Sequence, residues 1–438
     1  MIQPIPNIEL APDFALARPE AFPESTARVE LRETHISKVY LTDHYAYKVM
    51  KPVSLEFLNC ADLESRRRLC HRELELNRLW APSVYLEVLP VVLSAAGEAR
   101  IGGAGAVIDW AVRMRRLPEN QSLEHRLREG YLPPEEQCRA TAWLARKIAS
   151  LPPLRLACRE YRLRYTERVE QNQRELQAIS ELPAERIARI HAAQLRWLRL
   201  QPEVLEQRCC EGRVVEGHGD LRPEHVFLTS EPAVIDCLAF SERMRQLDAA
   251  DELSFLDMEC RLLGRPEFGR ELLAEYERAS GDHPSAELLA FFRSYRACVR
   301  AKVLAIRAGQ CPAEKERREL LAAAARYLEQ AEADASRLIP PLLFVVHGLS
   351  GSGKSTLAAA LSQRFGAALL QTDQLRAEGP PVCGRADARG ARYSEAARQR
   401  VYRRMFQSAR KLLLQGRDVV RDRTVRDRGV RRREDTTG

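Results

Sequence analysis

Several features of membrane, secreted and zinc-binding proteins are missing from this 438-residue chain. No stretch approaches the roughly 20 consecutive apolar residues that cross a bilayer, and the start of the chain has no basic region followed by an apolar one. The 11 cysteines form no Cys-x-x-Cys pair of the kind found in zinc ribbons. We therefore predict a cytoplasmic protein that does not act at a membrane.

The chain also lacks an acidic or basic arm. Lys and Arg outnumber Asp and Glu by 69 to 61, which gives a formal net charge of +8. This excess favours anionic partners, and because it is spread along the chain it favours a nucleotide over a nucleic acid. Apolar residues make up 45% of the chain, which is enough for a core, and the length predicts two or more domains.

A phosphate-binding loop is the most specific motif present. It consists of Gly348, Leu349, Ser350, Gly351, Ser352, Gly353, Lys354 and Ser355, with Thr356 directly after it. An apolar strand over residues 342–346 precedes the loop and a helix over residues 355–365 follows, as the P-loop motif G-x-x-x-x-G-K-S requires. The loop N–H groups would surround phosphate oxygens, Lys354 would approach the terminal phosphates, and Ser355 would bind Mg²⁺. The motif therefore predicts binding of ATP and magnesium.

A second short strand, over residues 367–371, ends in Thr372-Asp373, with Arg376 three residues further on. This order resembles the small P-loop kinases related to gluconate kinase and zeta toxin. The resemblance implies that Asp373 is the general base and that Arg376 contacts the substrate or its phosphate. The alternative is that Asp373 is only the N-cap of the next helix.

The end of the chain departs from those kinases. Residues 416–422 resemble the acidic strand end that serves magnesium in them, which makes Asp422 the metal candidate. Residues 425–438 contain almost no apolar side chains, so we predict a disordered tail. The strands and the arginine-bearing lid expected next are missing, so this domain is predicted to be truncated and its turnover is in doubt.

The N-terminal part contains a second set of residues in kinase order. Residues 29–50 alternate as antiparallel strands and place Lys48 on a strand, and residues 58–80 have helical spacing and place Glu73 on a helix. Residues 218–228 read HGDLRPEHVFL, and a short hairpin leads to Asp236. This set resembles the aminoglycoside phosphotransferase family, whose loop is HGDLHxxN. The resemblance implies that Asp220 orients or deprotonates an acceptor hydroxyl, that Asp236 binds metal, and that Lys48 pairs with Glu73.

Two positions in this loop differ from that family. His225 stands where an Asn helps to hold the metal, and Arg222 stands where His is common. Mg²⁺ prefers oxygen ligands to imidazole, so His225 weakens the case for ordinary kinase activity. Each residue of the set also has a purely structural interpretation. Lys48 is then a strand-edge lysine, Glu73 a solvated helix residue, Asp220 a turn residue and Asp236 a hairpin cap.

Together these motifs predict an α+β, protein-kinase-like, two-lobed domain over residues 1–336, an α/β P-loop domain with a parallel sheet over residues 337–424, and the tail. The combination resembles a class of bacterial two-domain predicted kinases, in which an aminoglycoside phosphotransferase-like region is fused to an AAA-type P-loop domain. We expect an ATP-dependent phosphotransferase whose acceptor is an unidentified small molecule or protein. The alternative is a catalytically impaired pseudokinase joined to a nucleotide-binding module that acts as a regulator or scaffold.

Overall fold

The computed structural model describes residues 16–34, 36–55, 58–95, 97–130, 132–349, 351–377 and 395–424. The chain divides into two compact units. Unit 1 comprises Met1–Arg155 and Arg208–Pro284, and unit 2 comprises Leu156–Gln207 and Ser285–Gly438. These compact units differ from the two domains predicted from the motifs, whose boundary lies at residue 336. That domain boundary stays a prediction.

The elements are numbered in chain order. The strands are β1 (Glu30–Glu33), β2 (Ser37–Leu41), β3 (Tyr45–Met50), β4 (Ser54–Leu55), β5 (Leu58–Asn59), β6 (Tyr85–Leu93), β7 (Ala99–Ile101), β8 (Ala106–Arg115), β9 (Val214–Glu216), β10 (Val226–Phe227), β11 (Ala233–Val234), β12 (Gln246–Asp248), β13 (Leu343–Gly348), β14 (Ala368–Gln371) and β15 (Val419–Thr424). The helices are α1 (Leu63–Trp80), α2 (Leu123–Arg128), α3 (Pro134–Ala149), α4 (Cys158–Gln177), α5 (Ala184–Leu200), α6 (Pro202–Cys210), α7 (Glu242–Arg245), α8 (Ala249–Leu262), α9 (Pro266–Ser280), α10 (Ala286–Gln310), α11 (Glu314–Ala335), α12 (Lys354–Phe365), α13 (Thr372–Ala377) and α14 (Glu395–Leu414).

Unit 1 contains an antiparallel sheet in the order β1-β2-β3-β8-β6-β7. Alternating side chains of its strands bury apolar groups on both faces, with Tyr40, Tyr47 and Ala111 in one cluster and Met50 and Val112 in the other. In the register, Lys48 of β3 lies between Val39 and Val112 of the neighbouring strands. The predicted strands over residues 29–50 are confirmed, and Lys48 has its fixed place near the middle of the sheet.

Helix α1 packs against β6 and β8 of this sheet. It begins after Asp62, whose Oδ1 accepts a hydrogen bond from the N–H of Ser65 at 2.8 Å and so satisfies one of the free donors of the first turn. The helix buries a face that includes Cys70, Glu73 and Leu76. Glu73 is therefore on the inner side of the helix and not on a solvated face.

The predicted hairpin after the HGD segment is also confirmed. Its strands β10 and β11 pair antiparallel, with Val226 opposite Val234 and Phe227 opposite Ala233. Asp236 follows β11 by two residues. The rest of unit 1 consists of the short pairs β4–β5 and β9–β12 and the helices α2, α3 and α7 to α9, of which α8 and α9 pack together and α9 packs on α3.

Unit 2 combines helices with a small parallel sheet. Helices α4, α5, α10 and α11 pack against one another around an aromatic cluster, in which Trp197 stacks on Phe291 with ring centroids 4.4 Å apart. The sheet has the order β13-β15-β14, and both strand pairs are parallel. Helix α12 covers it through a core that includes Val346, Ala358 and Val420. The predicted parallel-sheet P-loop arrangement is confirmed.

The predicted α+β and α/β classes are confirmed, since one region has an antiparallel sheet with a helix packed on it and the other has a parallel sheet with a P-loop. No described helix is long and apolar enough to pass through a bilayer. Residues 425–438, for which a disordered tail was predicted, lie outside the described residues.

Candidate functional site

Lys48 is the centre of a charge cluster in unit 1. Its Nζ lies 2.8 Å from Glu73 Oε1 and 2.7 Å from Asp236 Oδ1. The Lys48 and Glu73 side chains are 12% and 2% exposed, whereas the Asp236 side chain is 49% exposed. The sheet, helix α1 and the hairpin thus bring together three of the residues that the sequence predicted for one centre.

The charges in this cluster stabilise one another. Burial by itself would lower the pKa of Lys48, but the carboxylates of Asp236 and Glu73 raise it well above its usual value. Burial would raise the pKa of Asp236, but Lys48 holds it below its usual range. For Glu73 burial outweighs Lys48, and the pKa is raised. The Lys48–Asp236 pair is therefore ionised at neutral pH.

Two residues that the sequence analysis missed hold Asp236 in place. Asp236 has a left-handed backbone, with φ of 64°, which is costly for a residue with a side chain. Its N–H donates to the Tyr85 hydroxyl at 3.0 Å, and the N–H of Cys237 donates to Asn77 Oδ1 at 2.9 Å. Asn77 lies one turn after Glu73 on the buried face of α1, and this spacing is the only sequence signal that could have pointed to it.

The loop that contains Asp220 is fixed by a buried carboxylate. The N–H groups of His218 and Gly219 donate to Glu252 Oε2 at 2.7 and 2.9 Å, and His218 Nε2 lies 2.9 Å from the carbonyl oxygen of Ile235. Burial lowers the pKa of His218 to about 4, so the ring is neutral at physiological pH. His218 is thus a structural link between the loop and the hairpin, and Glu252 was not predicted.

Arg222 contacts the residues on which acceptor and metal binding would depend. Its Nε donates to Asp220 Oδ2 at 3.2 Å, it forms an ion pair with Glu224, and its NH2 group lies 3.3 Å from His225 Nε2. His225 Nδ1 lies 2.8 Å from the carbonyl oxygen of Asp220, and His225 Nε2 lies 3.8 Å from Asp236 Oδ2. The structure therefore brings Asp220, His225 and Asp236 into one neighbourhood, with a guanidinium among them.

The P-loop in unit 2 connects β13 to α12. Gly353 precedes the helix with φ of 76°, a conformation that favours glycine, and a Cβ on Gly348 would lie 2.8 Å from Ser352 Oγ. Lys354 Nζ donates to the carbonyl oxygen of Leu349 at 3.3 Å. Thr356 is exposed on the first turn of α12, and Ser350 lies outside the described residues. The loop thus leads into the N-terminus of a helix, a position that favours anions such as phosphate.

Ser355 and Asp422 meet at the end of the sheet. Asp422 lies on β15 opposite Val346 of β13, and Ser355 Oγ donates to Asp422 Oδ2 at 2.8 Å. Asp422 Oδ1 is buried and has no hydrogen-bond partner within the part of the chain that the structure describes. A hydroxyl and a carboxylate with a free oxygen beside a phosphate loop suit a hard cation such as Mg²⁺, so these residues fit the predicted metal.

Arg196 of α5 supports the strand that contains Asp422. Its Nε donates to Asp418 Oδ1 at 2.6 Å, and its other nitrogens donate to the carbonyl oxygens of Gly416 and Ile339 at 2.5 and 3.0 Å. The N–H of Leu342 also donates to Asp418 Oδ1, at 2.9 Å. This buried group joins the starts of β13 and β15. No motif indicated it.

Asp373 and Arg376 lie on α13, which directly follows β14. Helix α13 begins at Thr372, so Asp373 lies within its first turn. The side chains of Asp373 and Arg376 are outside the described residues, and their roles as base and substrate contact stay predictions.

Comparison with known proteins finds a family match for the P-loop segment. A family model described as an AAA domain matches residues 343–436, which begin at β13 and include the P-loop and Asp422. Uncharacterized protein Rv2004c of Mycobacterium tuberculosis is 32% identical over 433 residues, covering 92% of this chain and 80% of that protein. Uncharacterized protein Mb2027c of Mycobacterium bovis has the same identity and coverage. The chain belongs to the family of these mycobacterial proteins.

Two solved structures show a distant likeness to this chain. A choline/ethanolamine kinase family protein from Mesorhizobium loti is 13% identical with a TM-score of 0.41, covering 74% of this chain and 97% of that one. A thermostable mutant of an aminoglycoside phosphotransferase is 13% identical with a TM-score of 0.43, covering 72% and 95%. Likenesses this distant say nothing about what the chain binds.

Proposed function

We propose that the chain is an ATP-dependent phosphotransferase whose working centre is the P-loop of unit 2. The observation that supports this most directly is the pairing of Ser355 Oγ with Asp422 Oδ2 at 2.8 Å, next to a buried carboxylate oxygen that has no hydrogen-bond partner among the described residues. A nucleotide–metal site requires a carboxylate at such a point, because the carboxylate holds the metal ion beside the phosphates.

In this proposal, different residues around the loop bind the phosphates and the metal ion. The loop N–H groups and the N-terminus of α12 bind the phosphates, and Lys354 exchanges its contact with the Leu349 carbonyl for the terminal phosphates. Ser355 and Asp422 would hold a magnesium ion, which would neutralise the charge that develops on the leaving phosphate. The hydrogen bond between Ser355 and Asp422 already holds these two groups side by side, whereas Lys354 has to change partners.

The proposed step transfers the γ-phosphoryl group to an acceptor hydroxyl. The bond between the γ-phosphorus and the oxygen that bridges it to the β-phosphate breaks, and a bond from the acceptor oxygen to that phosphorus forms. The acceptor proton passes to Asp373, and ADP leaves. Asp373 has this role through its position after β14 and the resemblance to small P-loop kinases, and Arg376 would contact the acceptor or its phosphate.

Calorimetry with Mg-ATP and release of phosphate from ATP test this proposal on the whole chain. Lys354→Ala should weaken Mg-ATP binding at least tenfold, since a charged hydrogen bond to phosphate contributes about 1.5–3 kcal/mol. Lys411→Ala, which removes an exposed lysine of α14 in the same unit, should change neither quantity. Equal behaviour of the two variants would rule out the P-loop as the working nucleotide site.

A second candidate function is that unit 1 is a non-catalytic regulator of the P-loop module. The contact that favours it is Arg222 Nε with Asp220 Oδ2 at 3.2 Å, because the carboxylate expected to accept a proton is already bound to a cation. If unit 1 is only a regulator, the variant Lys354→Ala should show no residual phosphate transfer. If unit 1 is itself catalytic, Lys354→Ala should retain transfer, and adding Asp220→Asn should abolish it.

A further inference from the structure

The centre of unit 1 has the position of a metal site but not its ligands. Asp236 Oδ1 is bound to Lys48 Nζ at 2.7 Å, and Asp236 Oδ2 lies 3.8 Å from His225 Nε2. Within the described residues, this centre does not bring three His, Cys, Asp or Glu ligand atoms within 4.8 Å of one another. A hard cation such as Mg²⁺ does not fit this donor set.

His225 is not available as a replacement ligand. Its Nδ1 lies 2.8 Å from the carbonyl oxygen of Asp220, and because a carbonyl only accepts, Nδ1 bears the proton. Its Nε2 must then accept a hydrogen bond, and the NH2 group of Arg222, which only donates, lies 3.3 Å away. The one lone pair that could bind a metal is therefore directed at a guanidinium.

Arg222 is held there firmly. The residue is 9% exposed, and its guanidinium contacts Asp220 Oδ2 at 3.2 Å and forms an ion pair with Glu224. A guanidinium stays charged at every physiological pH and can occupy several acceptors at once in one plane. A divalent ion at this point would have to displace it or bear its repulsion in a partly buried site, where charges are poorly screened.

We propose that Arg222 is a built-in cation that takes the place of a divalent ion in unit 1, so that this centre is closed to Mg²⁺ and Mn²⁺. Lys48 and Arg222 together supply the positive charge that a metal would otherwise bring to Asp236 and Asp220. The consequence is that metal-dependent chemistry belongs to unit 2. This inference concerns a different centre from the P-loop, and its failure would leave the proposed function unaffected.

Mn²⁺ binding, measured by the relaxation of water protons, tests the inference without reference to activity. The starting protein is the full chain with Ser355→Ala and Asp422→Asn, which removes the metal ligands of the P-loop. Adding Arg222→His and His225→Asn then removes the guanidinium and supplies an amide oxygen. We expect no tight Mn²⁺ site in the starting protein and one new site in the further variant, with an affinity for Mn²⁺ at least tenfold higher.

Two outcomes would overturn the inference. One is a tight Mn²⁺ site in the starting protein that Asp236→Asn removes, and the other is the absence of a new site in the folded further variant. Arg222→Lys in the starting protein is the charge control and should bind no Mn²⁺ in unit 1. The ligand atoms of Cys138, Glu271 and Glu275 lie within 4.8 Å of one another. Any weak Mn²⁺ binding there is the same in all these variants and does not affect the difference between them. Thermal unfolding confirms that each variant is folded.

Discussion

Replacing Arg196 with methionine should loosen the strand on which the P-loop centre depends. Arg196 and Asp418 are 3% and 8% exposed, and the guanidinium donates to Asp418 and to two backbone carbonyl oxygens. Methionine keeps the length of the side chain but leaves the buried Asp418 with the N–H of Leu342 and no cation. Breaking a buried pair from one side costs about 3–5 kcal/mol, so unit 2 should lose that much free energy of unfolding.

Amide hydrogen exchange, followed by mass spectrometry, is the appropriate assay because a chain with two units does not unfold in one step. Peptides from β13 and β15 should exchange about a hundredfold faster or more in the variant, since each 1.4 kcal/mol is a factor of ten. Arg199→Met is the matched control, because Arg199 lies on the same helix but is exposed, and so is its hydrogen bond to the carbonyl oxygen of Phe365. It should change exchange by less than about threefold.

The double variant Arg196→Met with Asp418→Leu separates the charge from the packing. Replacing both partners by apolar side chains removes the unpaired charge, so the double variant should recover at least half of the stability that the single variant loses. Exchange in β15 that stays at the native rate in Arg196→Met would refute the argument. It would mean that the ion pair, although buried, does not hold the strand.

Three further results are expected. Lys48→Met should lower the free energy of unfolding of unit 1 by about 3 kcal/mol, because the buried carboxylate of Glu73 loses its cation. Adding Glu73→Gln should restore part of the lost stability. Equal stability in urea of Lys48→Met and the native chain would contradict this prediction. The pKa of His218 is lowered from 6.5 to about 4 by burial, so its stabilising contribution is complete above pH 6.5 and is lost as the pH falls towards 4. The loss of unfolding free energy between these pH values is about 3 kcal/mol. His218→Gln should remove this loss when the stability of unit 1 is measured against pH. An unchanged pH dependence in the variant would contradict the prediction. Ser355→Ala and Asp422→Asn should each weaken Mg-ATP binding at least tenfold in calorimetry but leave ATP binding in EDTA within about threefold, whereas equal losses in both conditions would show that these residues do not act through magnesium.

Local sequence signals found the elements because those elements are set by local physics. The strand, glycine-rich loop and helix around Lys354 are fixed by a hydrophobic run, by backbone freedom at Gly353 and by helix spacing, all within 24 residues of sequence, Leu342 to Phe365. The alternation around Lys48 and the helical spacing around Glu73 are equally local, so their strand and helix were predicted. Residue types in a known order then indicated that these elements share a centre.

The sequence by itself therefore determined which segments become strands, helices and phosphate loops, and which charged residues are candidates for chemistry. Only the tertiary structure decided which partner each charge has. Glu252 lies 34 residues after His218, Arg196 lies 222 residues before Asp418, and Ser355 lies 67 residues before Asp422, so no local pattern records these contacts. A charge is stabilised by whatever folding places within a few ångströms of it, and the tertiary structure therefore shows Arg222, which the motif presents only as a variant position, in an ion pair with Asp220.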